Sequence, residues 1–288
     1  MVTLLSLMNK SNLFLNSLLR QTKKANEIIV VDAGSTDNTI KKIKSFKKVR
    51  LVISKGASIA KGRNLAIENA KSKVIAMTDA GCVCDKNWIR RITLPFEKNE
   101  SDVVAGYYLM SGDTNFQKAL KPYLGIIPSK FDKETFLPST RSIVFKKSVW
   151  KKIKFNEKFD RAGEDTEFNI QLLKYKIRIK RVKNAVVSWE VPSSLIEASR
   201  KFYYYARGDA QGGNFTSRHN LKVMTIFGRY FIFYFIPPLF FVHLIWPIWK
   251  FRDLKFNWSS RLWTVIIQLV SDFSVMYGFL NGILKINN

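Results

Sequence analysis

Three acidic clusters in this 288-residue chain have residue types and spacings that suit chemistry on a charged, polar ligand. In VVDAGSTDNT, Val30 to Thr39, an apolar run ends on Asp32 and a Gly-Ser turn leads to Asp37 at the start of a helical pattern. A carboxylate at a strand exit can accept hydrogen bonds from a base or a ribose, and Gly34 lets backbone approach the ligand. The competing reading makes Asp32 a turn residue and Asp37 a helix cap, and this motif alone leaves the two in balance. The second cluster, AMTDAGC, places Asp79 at another strand end. A diphosphate beside an acid calls for a hard divalent cation between them, Mg²⁺ or Mn²⁺, which takes oxygen ligands. Asp79 alone is a weak metal site. Cys82 and Cys84 are read as packing or loop residues, since such a cation prefers oxygen to sulfur.

The third cluster is RAGEDTEFN, where Gly163 precedes Glu164 and Asp165 at a helix start. A helix N-terminus favours the carboxylate anion, whereas adjacent carboxylates oppose each other's ionisation, so the pair can be poised as a base. Helix capping is the plainer alternative. Cations to hold a departing diphosphate are available in AKGRNLAI, as Lys61 and Arg63, and in the group Arg200, Lys201 and Arg207.

These residues need a scaffold that brings strand ends together. Val2 to Met8, Glu27 to Asp32, Val49 to Ser54 and Lys73 to Asp79 read as buried strands. Leu13 to Gln21, Asp37 to Phe46 and Ser58 to Ala70 lie between them with apolar residues at helical spacing, and Ser11 and Asp37 are available as caps. This alternation predicts a Rossmann-like α/β sheet with its ligand at the carboxyl ends of the strands. Beyond Asp85 the pattern is mixed: a helix from Trp88 to Phe96, strands from Val103 to Leu109 and Ser142 to Phe145, and a helix opening near Glu164. The stretch Ser193 to Ala210, SSLIEASRKFYYYARGDA, mixes aromatics with cations and reads either as a lid or headgroup-facing segment or as an amphipathic helix.

Lys and Arg number 48 against 22 Asp and Glu, a formal net charge of +26, so anionic partners are favoured. That charge motivates the alternative of a basic nucleic-acid-binding protein, but nucleic acid is not expected as a partner: the chain shows no helix-turn-helix, zinc-knuckle or ribonucleoprotein signature, and its apolar tail works against that role. Two cysteines one residue apart cannot staple a fold, and the N-terminus lacks the charged lead and cleavage site of a secretion signal, so the N-terminal domain is expected in the cytosol.

Tyr230 to Trp249 carries no Asp, Glu, Lys or Arg, and Leu262 to Leu284 contains a single acid, Asp272. Such lengths approach the ~20 residues that cross a bilayer, so membrane contact is expected. Two adjacent prolines, Pro237 and Pro238, could instead fold Ile226 to Trp249 into a re-entrant hairpin. The intervening Lys250, Arg252, Lys255 and Arg261 prefer the cytoplasmic side. A hairpin and two transmembrane spans both remain open.

Taken in order, VVDAGSTDNT, GRNLAI, TDAGC, GEDTEFN and the apolar tail closely resemble the family 2 glycosyltransferases, over roughly Met1 to Asp209. The resemblance implies a GT-A catalytic domain over residues 1–215, followed by hydrophobic membrane-associated helices over 216–288. It implies transfer from a UDP- or GDP-sugar to a hydroxyl or lipid-linked acceptor at the cell membrane, in glycan or cell-envelope assembly, with the catalytic domain cytoplasmic. By position, Asp32 matches the acid that contacts the donor base, Asp79 the first acid of a DXD-like motif, Asp165 the general base, and Glu164 its neighbour. The donor side then comprises Asp32, Gly34, Ser35, Asp37, Lys61, Arg63, Asn64, Asp79, Ala80 and Arg207. Members invert the anomeric centre in one in-line displacement. Three departures stand out. Gly81 replaces the second acid of the metal motif, so a cation has fewer ligands, takes Glu190 as well, or is held mainly by the diphosphate. Ser6-Leu7-Met8-Asn9 lacks the usual Pro and aromatic residue, and the aromatic-Arg motif of processive members is at best loosely present around Arg200 to Gly208. A single transfer is therefore expected rather than polymerisation. The same Gly81 motivates the alternative of a catalytically inactive member.

Overall fold

The computed structural model describes residues 2–5, 11–213 and 218–286. Along the chain run β1 Val2–Leu5, α1 Ser11–Leu19, β2 Ile28–Asp32, α2 Thr39–Lys44, β3 Val49–Ile53, α3 Ile59–Asn69, β4 Val74–Met77, β5 Cys82–Cys84, α4 Trp88–Glu97 and β6 Val103–Ser111. There follow α5 Asn115–Leu124, β7 Ile143–Lys146, α6 Lys147–Lys152, α7 Glu164–Lys174, β8 Ile179–Glu190, α8 Leu195–Gln211, α9 Arg218–Phe235, α10 Pro238–Lys250 and α11 Trp258–Ile286. Ser6 to Asn9, whose departure from the family pattern was noted above, lie outside the described residues. Two compact units result, one of Met1–Met110, Ile127–Asp160 and Glu164–Glu190, the other of Ser111–Ile126, Arg161–Gly163 and Val191–Asn288.

The first unit is built on an eight-stranded sheet in the order β3-β2-β1-β4-β7-β6-β8-β5. Strands β1, β2, β3 and β4 are parallel neighbours, whereas β7 runs antiparallel to both β4 and β6, and β5 antiparallel to β8. This is the mixed α/β sheet expected of a GT-A fold. Strand β2, IIVVD, is buried at every residue, as an apolar run covered on both faces must be. Against the sheet pack Ala66 and Ile67 of α3, Trp150 of α6, and Phe168 and Leu172 of α7. Phe168 lies 4.5 Å from Phe155, ring centre to ring centre, and 5.8 Å from Phe145. Each such buried ring contributes about 1.5–3 kcal/mol by leaving water.

The parallel strands and their helices follow the sequence pattern closely. The chain does not leave the sheet at Cys82, because Cys82–Cys84 forms a short strand paired with Val187 to Trp189. Both thiols are buried, and burial pushes that of Cys82 up to about 12 and that of Cys84 higher still, so neither is a thiolate at neutral pH.

In the second unit, the Ser193 to Ala210 stretch forms the amphipathic helix α8, capped by Ser194, whose hydroxyl accepts from the Glu197 amide at 3.3 Å. Ala206 and Ala210 of α8 form a small core with Val223 of α9 and Phe279 of α11. The prolines at 237 and 238 separate α9 from α10. Among the described residues one helix, Trp258–Leu284 within α11, is long and apolar enough to cross a membrane, with mean hydropathy 1.4 and a third of its most apolar window buried.

Candidate active site

In the parallel half of the sheet β2 and β4 flank β1, so Asp32 and the loop after Met77 emerge at neighbouring strand ends. The register between β4 and β7 then sets what faces that loop. Met77 pairs with Ile143 in antiparallel fashion, so the residues just after β4 meet those just before β7. The Thr140 hydroxyl accordingly lies 3.4 Å from Asp79 Oδ2.

Arg63 is the centre of the site. It projects from α3, a helix capped by Ser58, whose hydroxyl accepts from the Lys61 amide at 3.2 Å. One guanidinium nitrogen donates to Asp79 Oδ1 at 3.0 Å and to Thr140 Oγ1 at 2.9 Å, and the other donates to Glu164 Oε1. The Arg63 and Glu164 side chains are each 5% exposed, against 31% for Asp79. Burial opposes the charge of Arg63, yet Asp79, Glu164 and Asp165 together overcome it and hold its proton more firmly than usual. Burial raises the Glu164 carboxyl above the ordinary carboxylate range and Asp165 adds to the effect, while Arg63, shared among three acids, only partly offsets it. Glu164 Oε2 is buried with no hydrogen-bond partner among the described residues.

The adjacent acids are thus inequivalent. Glu164 points into the protein, whereas Asp165 is half-buried and, among the described residues, accepts only a local bond from the Thr166 amide, 2.9 Å, at the start of α7. A pair at one helix start has been split into a buried partner for Arg63 and an accessible carboxylate.

Asp32 is fully buried, and its oxygens accept from the Gly34 and Ser35 amides at 2.8 and 2.7 Å and from the Ser35 hydroxyl at 2.6 Å. It shapes the turn in which Gly34 adopts φ +101°, a conformation that a side chain would strain. Asp37 is exposed and accepts from the Thr39 amide at 2.9 Å. Lys61 is exposed, and Ala80 is buried beside Asp79. Asn64 is occupied inside the protein, donating to Phe155 O and Glu157 at 2.8 Å and accepting from the Trp150 indole at 2.9 Å. Arg200, Lys201 and Arg207 lie on α8, and Glu190 stands exposed at the end of β8. A groove lined by Lys23, Lys24, Asn26 and Lys73 opens at the other ends of β2 and β4 from Asp32 and Asp79, and has no part in the site.

Thr140 and Arg141 escape sequence reasoning, because the antiparallel entry of β7 is what brings Thr140 to Asp79 and Arg141 to Trp189. The Arg141 guanidinium stacks 4.2 Å from the Trp189 ring centre and 5.0 Å from that of Tyr108. Trp189 pairs with Cys82, and among the described residues a Cβ built on Gly81 would meet only Trp189 Cδ1, at 3.9 Å. A cation therefore stands near the position where the family pattern has its second acid. Among the described residues no group of three or more His, Cys, Asp or Glu is assembled to hold a metal ion.

The family model for glycosyl transferase family 2 matches residues 13–159, half of the chain. The protein belongs to that family. An uncharacterized glycosyltransferase of Bacillus subtilis, EpsJ, is 25% identical over 203 residues, covering 65% of this chain and 59% of its own. Glycosyltransferase GlyG of Streptococcus pneumoniae is 33% identical over 97 residues, 32% of each chain. This family 2 chain thus aligns with less than two thirds of the length of one relative and about a third of the other. Residues 1–349 of Staphylococcus aureus TarS superpose with a TM-score of 0.54 at 18% identity, covering 73% of this chain and 64% of that one. The same TarS fragment in complex with UDP gives 0.54 at 15% identity, covering 95% and 89%. Likeness at this identity concerns the fold, the GT-A arrangement.

Proposed function

We propose that the protein transfers a sugar from a nucleotide-sugar donor to an acceptor hydroxyl with inversion, in a single displacement. The observation that carries this reading is the division of the acidic pair, with Glu164 buried on Arg63 and Asp165 accessible beside it. Asp165 takes the proton of the acceptor hydroxyl as its oxygen bonds to the anomeric carbon, and the bond from that carbon to the diphosphate breaks, releasing the nucleotide. Arg63 fixes Asp79 and Glu164 relative to one another, and Arg141 supplies positive charge for the leaving diphosphate. The crevice at the ends of β2 and β4 takes the donor, with Gly34, Ser35 and Ala80 forming its backbone walls and Asp32 and Asp37 setting the turn. TarS was solved with UDP and with UDP-GlcNAc, which makes UDP-sugars the first donors to test.

A divalent cation fits this site only in a reduced form. Asp79 offers one carboxylate, already bonded to Arg63, and the protonated thiols of Cys82 and Cys84 offer nothing to a hard ion. Mg²⁺ or Mn²⁺ would be held by Asp79 and by the donor's own diphosphate oxygens, with Glu190 as a further candidate, and would supply charge neutralisation of the departing nucleotide.

The chain works at a membrane, with residues 1–215 as a cytoplasmic catalytic domain, 216–288 as the attachment and a lipid-linked molecule as acceptor. Support comes from the apolar α11 and from exposed apolar side chains on α9 and α10, among them Phe231, Phe235, Phe241 and Trp249. The test is nucleotide release by membranes containing the full chain, incubated with UDP- and GDP-sugars in Mg²⁺, Mn²⁺ or EDTA. Turnover that disappears in Asp165→Asn supports the reading; absence of turnover with every donor and lipid extract sinks it.

A further inference from the structure

The helix that meets the length test for crossing a bilayer is already committed along one side. At its start, the Ser260 hydroxyl lies 3.4 Å from Asn115 of α5, the Trp263 ring 5.2 Å from Phe116, and the Thr264 carbonyl accepts from Tyr123 at 2.8 Å. Further along, Ser274 bonds Ser199 of α8 at 2.9 Å and Asn281 donates to the Tyr203 hydroxyl at 3.2 Å. Gly278 and Gly282 form a G-x-x-x-G face of the kind that lets helices approach closely. Here α8 fills it: a Cβ on Gly278 would stand 2.3 Å from the Tyr203 carbonyl oxygen, and one on Gly282 2.5 Å from that of Arg207.

From Ser260 to Gly282 this docking runs about 33 Å, as long as a hydrocarbon core is thick. Were α11 to cross, α5 and α8 would be drawn in with it. Those helices expose Lys118, Glu197 and Arg200, charges that are costly inside a bilayer.

Helices α9 and α10 have other proportions. At 13 residues α10 is about 20 Å long, short of the ~30 Å core. Its His243, with Arg229 and Tyr230 of α9, converges on the buried Asp272 of α11 at 3.0–3.2 Å, which ties the hairpin to α11. The turn at Pro237-Pro238 lies eight residues beyond Arg229 and twelve before Lys250, about 12 and 18 Å of helix. That is the depth of one leaflet. Phe231, Phe235, Phe241 and Ile245 are exposed between those limits, and Lys250, Arg252 and Lys255 follow at the base, with Arg252 stacked 4.4 Å from Trp249. Basic groups beneath an apolar tip complement anionic headgroups.

We propose that the chain is held from one side only, by the α9–α10 hairpin sunk into a single leaflet rich in anionic lipid, and that α11 does not cross. This rests on the membrane reading above, and the two can fail separately. The full chain is floated with vesicles of phosphatidylcholine alone or mixed equally with phosphatidylglycerol. At least tenfold more protein is expected on the anionic vesicles, with loss on both for Phe241→Glu/Trp249→Glu; equal binding to both lipids overturns the anionic preference. No flotation of the parent on either overturns membrane attachment itself.

Sidedness is read with a membrane-impermeant maleimide on sealed inverted vesicles and on spheroplasts, using Lys24→Cys, Asp253→Cys and a cysteine appended after Asn288. The buried Cys82 and Cys84 leave the parent as an unlabelled control. All three sites are expected to react from the same face. Reaction of Asp253→Cys or of the appended cysteine from the face opposite Lys24→Cys, with flotation intact, overturns one-sided attachment alone.

Discussion

Arg63 and Glu164 form an ion pair in which each side chain is 5% exposed, and the same guanidinium reaches Asp79, in the loop after β4. One buried cation therefore spans the two acidic motifs. Removing one partner of such a pair strands the other charge away from water, which costs about 3–5 kcal/mol, whereas removing both is far milder. Arg63→Met is expected to destabilise the chain by about that much and Arg63→Met/Glu164→Leu by clearly less, read by urea unfolding of the detergent-solubilised protein. Equal losses would show that Arg63→Met leaves no costly stranded charge on Glu164.

Asp165 calls for the opposite pattern. It is half-buried and, among the described residues, holds only a local bond to Thr166, so Asp165→Asn should leave stability within about 0.5 kcal/mol. Turnover should nevertheless fall about 10²–10⁴-fold, the range of a lost general base, with donor affinity unchanged by calorimetry. If the acceptor were a phosphate already ionised, turnover in this variant would persist, and the hydroxyl-acceptor mechanism would have to be abandoned.

The open space beside Gly81 allows the missing acid to be restored. Among the described residues only Trp189 stands near its would-be Cβ, at 3.9 Å, so Gly81→Asp should fold and would add a second carboxylate for a cation beside that of Asp79. The Mn²⁺ concentration that half-saturates nucleotide binding is expected to fall about tenfold. Arg141→Ala should instead weaken binding of UDP by about tenfold in EDTA, where the proposed mechanism gives the diphosphate the Arg141 charge and no metal. No effect of Arg141→Ala would detach that residue from the donor.

How much of this the sequence carries depends on the range of the interaction. The run of Ile28 to Asp32 announces a buried strand because all five side chains are covered, and the spacing of Ala66 and Ile67 marks the inner face of α3. Strand β8 gives no such signal: only Ala185, Val187 and Trp189 of its twelve residues are buried, and its first half is basic with no buried residue. Without β8 and the antiparallel β7, nothing in the sequence places Trp189 or Arg141 beside Gly81, since those contacts join segments about 50 to 110 residues apart. Glu164 and Asp165 were legible as a pair, but their inequivalence depends on Arg63, a hundred residues earlier in the chain.

Stability should respond to pH in two opposite ways. Asp102, at the start of β6, is bonded by Arg178 at 2.9 Å and Lys146 at 2.7 Å, which lowers its carboxyl to about 2. Its folded-state value lies below the unfolded one, so its contribution is complete above the ordinary carboxylate range and is lost as pH falls through about 2. Solvent screens this site, so Asp102→Asn should remove no more than ~1 kcal/mol at neutral pH and flatten the acid limb of the stability curve. Glu164 acts with the other sign. Its carboxyl is raised in the folded chain, so the folded state binds its proton more tightly and loses stability as pH rises from the unfolded value through the folded one. Urea midpoints measured from pH 3 to 8 should therefore fall less steeply with rising pH in Glu164→Gln than in the parent. A parent curve that rises throughout that interval, with Glu164→Gln superimposed on it, would show that burial does not govern this carboxyl.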